Sequence, residues 1–377
     1  PLDGQRVKLR ILAAVALAAI LALLVFTACG SAKPRTQVPR GFFGVAPQTP
    51  LTDEDVRYMR AGGIETLRMP IAWSSVQPTR RGGYDWSSID PTVEVASRGG
   101  LEILPFLAGT PSWLGKLTKL PVHNARQRAA WIAFVRAAVM RYGPGGQFWR
   151  EHRTEGVNYE PAITAPKPVR TWQIWNEANF FYFAFPVSVA DYAKLLTISQ
   201  QAIKSVQPGA RILLSGLFAR PNARGKKGMA AARFLEQLYR RPGIKSRFDA
   251  VALHPYAIDT GELEEMVEEF HEVSKENHDR PSLYVTEMGW GSQDNFEHDA
   301  FEQGVRGQVR QLKDAYGYLI ENQRRLNLKQ VVWFSWKDAQ LLCDFCDSVG
   351  LFREGPRFKP KPSWHAFVKI TGGRARP

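Results

Sequence analysis

The chain has 377 residues, 44% of them hydrophobic and 23% charged, which is enough apolar material for one large packed domain and excludes disorder as its organising principle. The 50 Lys and Arg outnumber the 36 Asp and Glu, leaving a net charge of +14. Such a surface either stays soluble beside an anionic cell envelope or attracts an anionic partner, an acidic polysaccharide or a phospholipid surface.

Residues 1–30 read as an export segment. Arg6, Lys8 and Arg10 precede an apolar run over 11–28, the pattern of a signal peptide. The run is also close to the roughly 18 apolar residues that suggest a membrane span. Thr27-Ala28-Cys29 resembles a bacterial lipoprotein signal, in which the Cys29 equivalent is lipidated, although Phe26 stands where Leu is usual. A retained anchor and plain secretion are the alternatives, and all three predict an extracytoplasmic domain, membrane-anchored or secreted. Nucleic acid is excluded as a partner by that compartment and by the lack of a basic stretch with interleaved aromatics. Beyond Cys29 the only cysteines are Cys343 and Cys346. In an oxidising compartment they predict a disulfide closing a tight loop, since a zinc site needs about four ligands; a redox-active C-x-x-C is the other alternative, though no thioredoxin-like pattern surrounds it.

Residues 31–40 are polar and contain proline, as a short tether does. From residue 41 to 377 a single catalytic domain is predicted. Short runs rich in β-branched and aromatic residues at 42–46, 66–69, 102–106, 171–175, 212–216, 250–254, 283–286 and 331–335 predict strands. Amphipathic stretches at 52–61, 125–142, 189–206, 229–239, 262–277 and 298–322 predict helices, with Thr52 and Ser188 as N-caps. A last helix is expected near 364–370. Eight strands alternating with helices predict an α/β fold, a (β/α)8 TIM barrel. The doubly wound alternative usually carries a Gly-rich phosphate loop, and none is present. Residues 143–168 are long and irregular and are expected to form an insertion on the active-site face.

Active sites of such barrels lie where strands end and loops begin. The fourth strand runs out through Trp175-Asn176-Glu177, and the seventh through Thr286-Glu287. Strand alternation puts Val285 with Glu287 on one face, and Trp175 with Glu177. Two carboxylates would then face each other across the barrel mouth. Glycoside hydrolysis needs such a pair, one protonated to donate to the departing oxygen and one ionised.

The ordered set of motifs resembles glycoside hydrolase clan A, especially families 5 and 39. It comprises Trp175-Asn176-Glu177, Thr286-Glu287, Gly83-Tyr84-Asp85-Trp86, Gly100-Leu101-Glu102-Ile103-Leu104-Pro105 and Gly109-Thr110-Pro111-Ser112-Trp113. The similarity spans almost everything from residue 41 to 370. It implies a retaining O-glycosidase acting on a β-linked glycoside or polysaccharide, with Glu177 as acid/base and Glu287 as nucleophile. It implies that Asn176 bonds the sugar hydroxyl beside the reacting carbon and that Arg68 touches the nucleophile. His254 and Tyr256 would orient that nucleophile, and Trp336 would be a platform under the sugar. Ala178 stands where many relatives have Pro. Trp113, Trp290, Phe180, Phe181 and Tyr182 flank the expected mouth, and Asp338, Asp344 and Asp347 follow the eighth strand.

No cofactor is implied, and no His/Asp/Glu cluster has metal-ligand spacing in the sequence. Two other functions use the same residues: an envelope transglycosidase, with sugar replacing water as acceptor, and a carbohydrate-binding protein with an inactive site.

Overall fold

The structure is a computed structural model that describes residues 37–154, 161–294, 299–340, 345–355 and 357–377. The export segment with Cys29, most of the tether, Cys343 and Asp344 lie outside the described residues. Among the described residues no helix is long and apolar enough to cross a membrane.

Val38–Pro377 forms one compact unit. Its strands are β1 (Phe43–Ala46), β2 (Thr66–Ala72), β3 (Glu102–Ala108), β4 (Thr171–Ile174), β5 (Arg211–Phe218), β6 (Ala250–His254), β7 (Ser282–Met288) and β8 (Leu328–Phe334). They pair in parallel in chain order, and β1 closes on β8 from Phe43↔Val331 to Ala46↔Phe334. This is the expected (β/α)8 barrel, with all eight predicted strands in place.

Two layers of side chains explain the closure. Inside the barrel, Leu104, Leu213, Ala250, Ala252 and Tyr284 form an apolar plug. Outside, Leu67, Ile103, Trp172, Ile212, Leu253, Val285 and Trp333 join the larger core beneath the helices. Each fully buried side chain of this size contributes about 1.5–3 kcal/mol.

Around the barrel lie α1 (Asp53–Ala61), α2 (Trp73–Val76), α3 (Asp90–Arg98), α4 (Ala125–Tyr142), α5 (Gln147–Glu151), α6 (Val189–Val206), α7 (Ala231–Tyr239), α8 (Thr260–Glu276), α9 (Gly304–Glu321) and α10 (Pro362–Thr371). Thr52 caps α1 in a reciprocal box with Asp55, and Ser188 caps α6, each worth about 1 kcal/mol. Helix α9 starts later than the expected residue 298: residues 299–303 form a turn in which Glu302 pairs with Gly291.

One expectation is overturned. Residues 143–154 and 161–168 do not lie on the active-site face. They follow a helix and precede β4, so they belong to the opposite end of the barrel. There Pro166 and Pro168 line a cleft with Thr66, Glu102, Thr171 and Arg211, the residues at which β2 to β5 begin.

Candidate active site

Above the apolar plug the barrel interior turns polar. Arg68 on β2 extends across the mouth, its guanidinium 4.4 Å from the centre of the Phe106 ring. Its Nε donates to Gln173 Oε1 at 2.9 Å, Nη2 to Asn176 Oδ1 at 2.7 Å and Nη1 to Glu287 Oε1 at 2.5 Å. Every branch of the guanidinium is used, which a buried cation requires. The other Glu287 oxygen accepts from the Tyr256 hydroxyl at 2.8 Å. The nucleophile candidate is therefore clamped from both sides.

Glu177 has a different neighbour. His254 Nδ1 lies 2.8 Å from Glu177 Oε1 and 3.7 Å from Glu287 Oε2, while Nε2 lies 2.9 Å from Thr286 Oγ1. His254 thus sits foremost on the expected acid/base rather than on the expected nucleophile. Its place depends on Gly216 in β5, where an added Cβ would fall 1.9 Å from His254 Nε2. Gly216 also accepts the Glu177 backbone N–H at 3.0 Å.

Simple strand alternation does not explain how both carboxylates reach the mouth. Val285 packs into the outer core while Thr286 and Glu287 both turn inward, and the β7–β8 register is irregular between Val285 and Met288. At β4, Trp175 packs outward against Trp131, yet Asn176 and Glu177 both face the site. Trp175 (φ 71°) and Glu177 (φ 40°) occupy left-handed backbone. Side chains there are strained, and such strain gathers at functional sites. The expected sharing of a face by Val285 with Glu287, and by Trp175 with Glu177, is corrected accordingly.

Neighbouring charges and hydrogen bonds separate the two buried glutamates. Glu177 is 4% exposed and Glu287 8%. Burial, reinforced by the Glu287 charge and only partly offset by His254, raises the Glu177 pKa above the ordinary carboxylate value. Burial acts on Glu287 too, but the charges of His254 and Arg68 and the bonds from Tyr256 and Arg68 outweigh it and hold its pKa below the ordinary value. One carboxyl favours its proton and the other favours its charge.

Glu177, His254 and Glu287 offer atoms within 4.8 Å of one another, a spacing also open to a metal ion. Both Glu287 oxygens and both His254 nitrogens already have partners in the protein. A cation there would also face the Arg68 guanidinium. The set suits proton transfer better than ligation.

The remaining expected residues divide. Trp336 is not a platform: it is 0% exposed, its Nε1 donates to Asp55 Oδ1 at 2.7 Å, and it packs on Phe352 and Trp364 in the outer core. Phe334, half-buried at the end of β8 and edge-on to Tyr256, stands at the mouth instead. Trp290 is core and Trp113 half-buried against Trp73, whereas Phe181 and Tyr182 lie on the rim. Asp338 is held by the buried Lys361 at 2.7 Å. Cys346 is buried beside Tyr256 and Phe345, and its expected partner Cys343 lies outside the described residues. Sequence reasoning missed Gln173, Thr286 and Gly216. A glutamine inside the apolar run Thr171–Ile174 was the available signal for Gln173.

A family profile described as the glycosyl hydrolase catalytic core matches residues 162–353, a stretch that holds both glutamates. No curated protein sequence matches. Solved structures of similar fold include a family 39 glycoside hydrolase from Bacteroides cellulosilyticus (20% identity, TM-score 0.60), aligned over 89% of this chain and 64% of that one. A monomeric β-xylosidase from Caulobacter crescentus aligns at 18% identity and TM-score 0.59, over 90% of this chain and 70% of that one. An endo-β-1,4-glucanase from Xanthomonas axonopodis aligns at 16% and 0.55, over 88% of this chain and 98% of that one. At these identities the likeness is one of fold.

Proposed function

The chain belongs to the glycosyl hydrolase catalytic-core family, and from that membership we propose that it is a retaining O-glycoside hydrolase acting on β-linked glycosides or polysaccharides. Glu177 is the general acid/base and Glu287 the nucleophile. The observation that carries the reading is the closeness of the carboxylates, one oxygen of each lying within 4.8 Å of the other, which leaves no gap for a water between those atoms of the kind inverting enzymes keep. Retaining enzymes hold the pair about 5–5.5 Å apart, and inverting enzymes leave room for a water at about 6.5–9.5 Å.

The steps follow from the charge states. Protonated Glu177 donates to the glycosidic oxygen as that bond breaks, while ionised Glu287 attacks the anomeric carbon from the other face. A covalent glycosyl-enzyme results. Glu177, now ionised, takes a proton from water, which displaces Glu287 and restores both groups. Arg68 and Tyr256 keep Glu287 charged and aimed. Arg68 occupies the Asn176 carbonyl oxygen, so the Asn176 amide N–H group is the part offered to the adjacent sugar hydroxyl. Phe334 takes the stacking role expected of Trp336.

The export segment at residues 1–30 and a Cys343–Cys346 disulfide complete the proposal of an extracytoplasmic enzyme, membrane-attached if Cys29 is lipidated. The test is chemical. A panel of 2-deoxy-2-fluoro aryl glycosides should inactivate the enzyme and leave a labelled peptide containing Glu287, and proton NMR of an unfluorinated substrate should show the β-anomer released first. Inverted product, or a label on another residue, would sink the mechanism. Lengthened oligosaccharides at high substrate concentration would instead identify the transglycosidase.

A further inference from the structure

The loop that carries Glu177 continues onto an exposed aromatic and basic rim. The Phe180 N–H donates to the Glu177 carbonyl, and ring contacts run outward from the site floor. Tyr256 and Phe218 stack at 5.7 Å, Phe218 and Phe180 lie 5.2 Å apart, and Phe180 meets Tyr182 at 5.0 Å. Phe181 stacks on Tyr182 at 4.2 Å, and Tyr182 is 65% exposed. The loop after β5 is fastened alongside. Phe181 N–H donates to the Lys227 carbonyl, Val187 N–H to that of Lys226, and Phe180 bridges Gly228. Buried Asn179 ties the two loops together, donating to the Phe218 and Met229 carbonyls at 2.7 Å each.

That second loop exposes Arg224, Lys226 and Lys227 beside the rings. Lys227 Nζ lies 5.9 Å from the Phe181 ring centre. Among the described residues none of these three cations has a carboxylate within ion-pairing distance, whereas nearby Arg220 is engaged by Glu262, Glu265 and Glu269. Aromatic faces with unpaired cations suit a ligand that is a flat C–H-bearing ring with anionic groups.

We propose that this rim is a binding subsite for an anionic polysaccharide on the leaving-group side of the scissile bond. Resting on the glycosidase reading, the side follows from position: the rim is carried by the acid/base loop, and the acid protonates the departing oxygen. Sugar rings stack along Phe181 and Tyr182, and their carboxylate or sulfate groups meet Arg224, Lys226 and Lys227. Continuity with the catalytic mouth favours a glycan over a lipid surface.

The test measures binding by titration calorimetry, with β-linked polymannuronate, its methyl ester, cellulose sulfate and phosphatidylglycerol vesicles as probes. The expected result is binding of one or both polyanions that weakens with salt, and none of the methyl ester. Arg224→Gln/Lys226→Gln/Lys227→Gln should weaken it roughly tenfold, as three exposed charge contacts would. Lys226→Arg/Lys227→Arg should retain it, and Tyr182→Ala should weaken it without altering the salt dependence. Absence of polyanion binding, equal binding of the methyl ester, or binding of vesicles alone overturns the proposal. Turnover of aryl glycosides is read separately: polyanion binding without any turnover tells against the glycosidase reading and not against the rim.

Discussion

The ends of β4 and β7 hold the same residue type, with pKa values pushed in opposite directions. Glu177 has one close polar partner, His254, and the repulsion of Glu287. Glu287 has Arg68 on one oxygen and Tyr256 on the other. Both are buried, so burial does not set them apart; the count and sign of neighbours does. Desolvation amplifies whatever charge lies nearby, and the cation on β2 is spent on β7. Removing one partner from a buried ion pair commonly costs about 3–5 kcal/mol, so the Arg68–Glu287 side should also be the more rigid of the two.

The sharpest way to break this comparison is to neutralise each carboxylate in turn. Glu287→Gln should lower kcat/KM at least about 10⁴-fold on every substrate, because no nucleophile remains. Glu177→Gln should cost about 10²–10⁴-fold with poor leaving groups and far less with dinitrophenyl glycosides, which depart without protonation. Steady-state kinetics over a leaving-group series reads both. Equal slopes for the two variants would mean that the roles are not divided as proposed.

A smaller effect should come from Gly216→Ala. The new methyl meets the His254 ring, so the ring must move away from Glu177. We expect a loss of about 10–100-fold in kcat, the scale of a misplaced proton-transfer group. Both limbs of the pH–rate profile should move to higher pH, because His254 lowers the pKa of Glu177 and of Glu287 alike. Tyr256→Phe should move the acidic limb alone. Its hydroxyl helps lower the Glu287 pKa, so its loss raises that pKa and moves the acidic limb to higher pH. A hydrogen bond to a charged group is worth about 1.5–3 kcal/mol, which predicts a fall of about tenfold or more in kcat/KM near the acidic limb. If the alkaline limb moved instead, Tyr256 would act on Glu177.

How much of this was legible in the sequence depends on whether a feature is local. The eight strands were legible because each is a short β-branched or aromatic run, and both glutamates were legible because they end such runs. The departures from alternation were not. The positive φ at Trp175 and Glu177 and the irregular register near Glu287 have no marker in the local residue pattern. Trp336 illustrates the same limit: the sequence places an indole after β8, but its outward turn onto Trp364 and Asp55 needs α10 and α1 in position. The placement of residues 143–154 and 161–168 was recoverable, because a segment between a helix and the next strand of a parallel barrel lies at the strand's starting end. Gly216 carried no signal, since only the approach of His254 from the next strand makes a side chain impossible there.

The smallest expected effect concerns stability, and it separates the two glutamates without any substrate. The folded-state pKa of Glu177 is raised. Its contribution is therefore fully present below the unfolded carboxylate pKa and is lost as pH rises through the folded value. Glu287 is lowered, so its contribution is present above the unfolded pKa and is lost as pH falls through the folded value. Above its folded pKa the ionised Glu177 is a desolvated charge that costs stability, and Glu177→Gln removes that cost. Calorimetric melting should show the variant gaining on the wild type as pH rises from the unfolded carboxylate pKa through the folded Glu177 value, by about 1–2 °C, the shift that roughly 1 kcal/mol produces in a domain of more than 250 residues. Glu287→Gln should lose relative to the wild type as pH rises from the folded Glu287 value to the unfolded carboxylate value and keep a constant deficit above it, because Arg68 then keeps its charge without its anionic partner. Parallel curves for the two variants would show that Glu177 and Glu287 share one electrostatic environment, and the division of labour between β4 and β7 would have to come from the substrate.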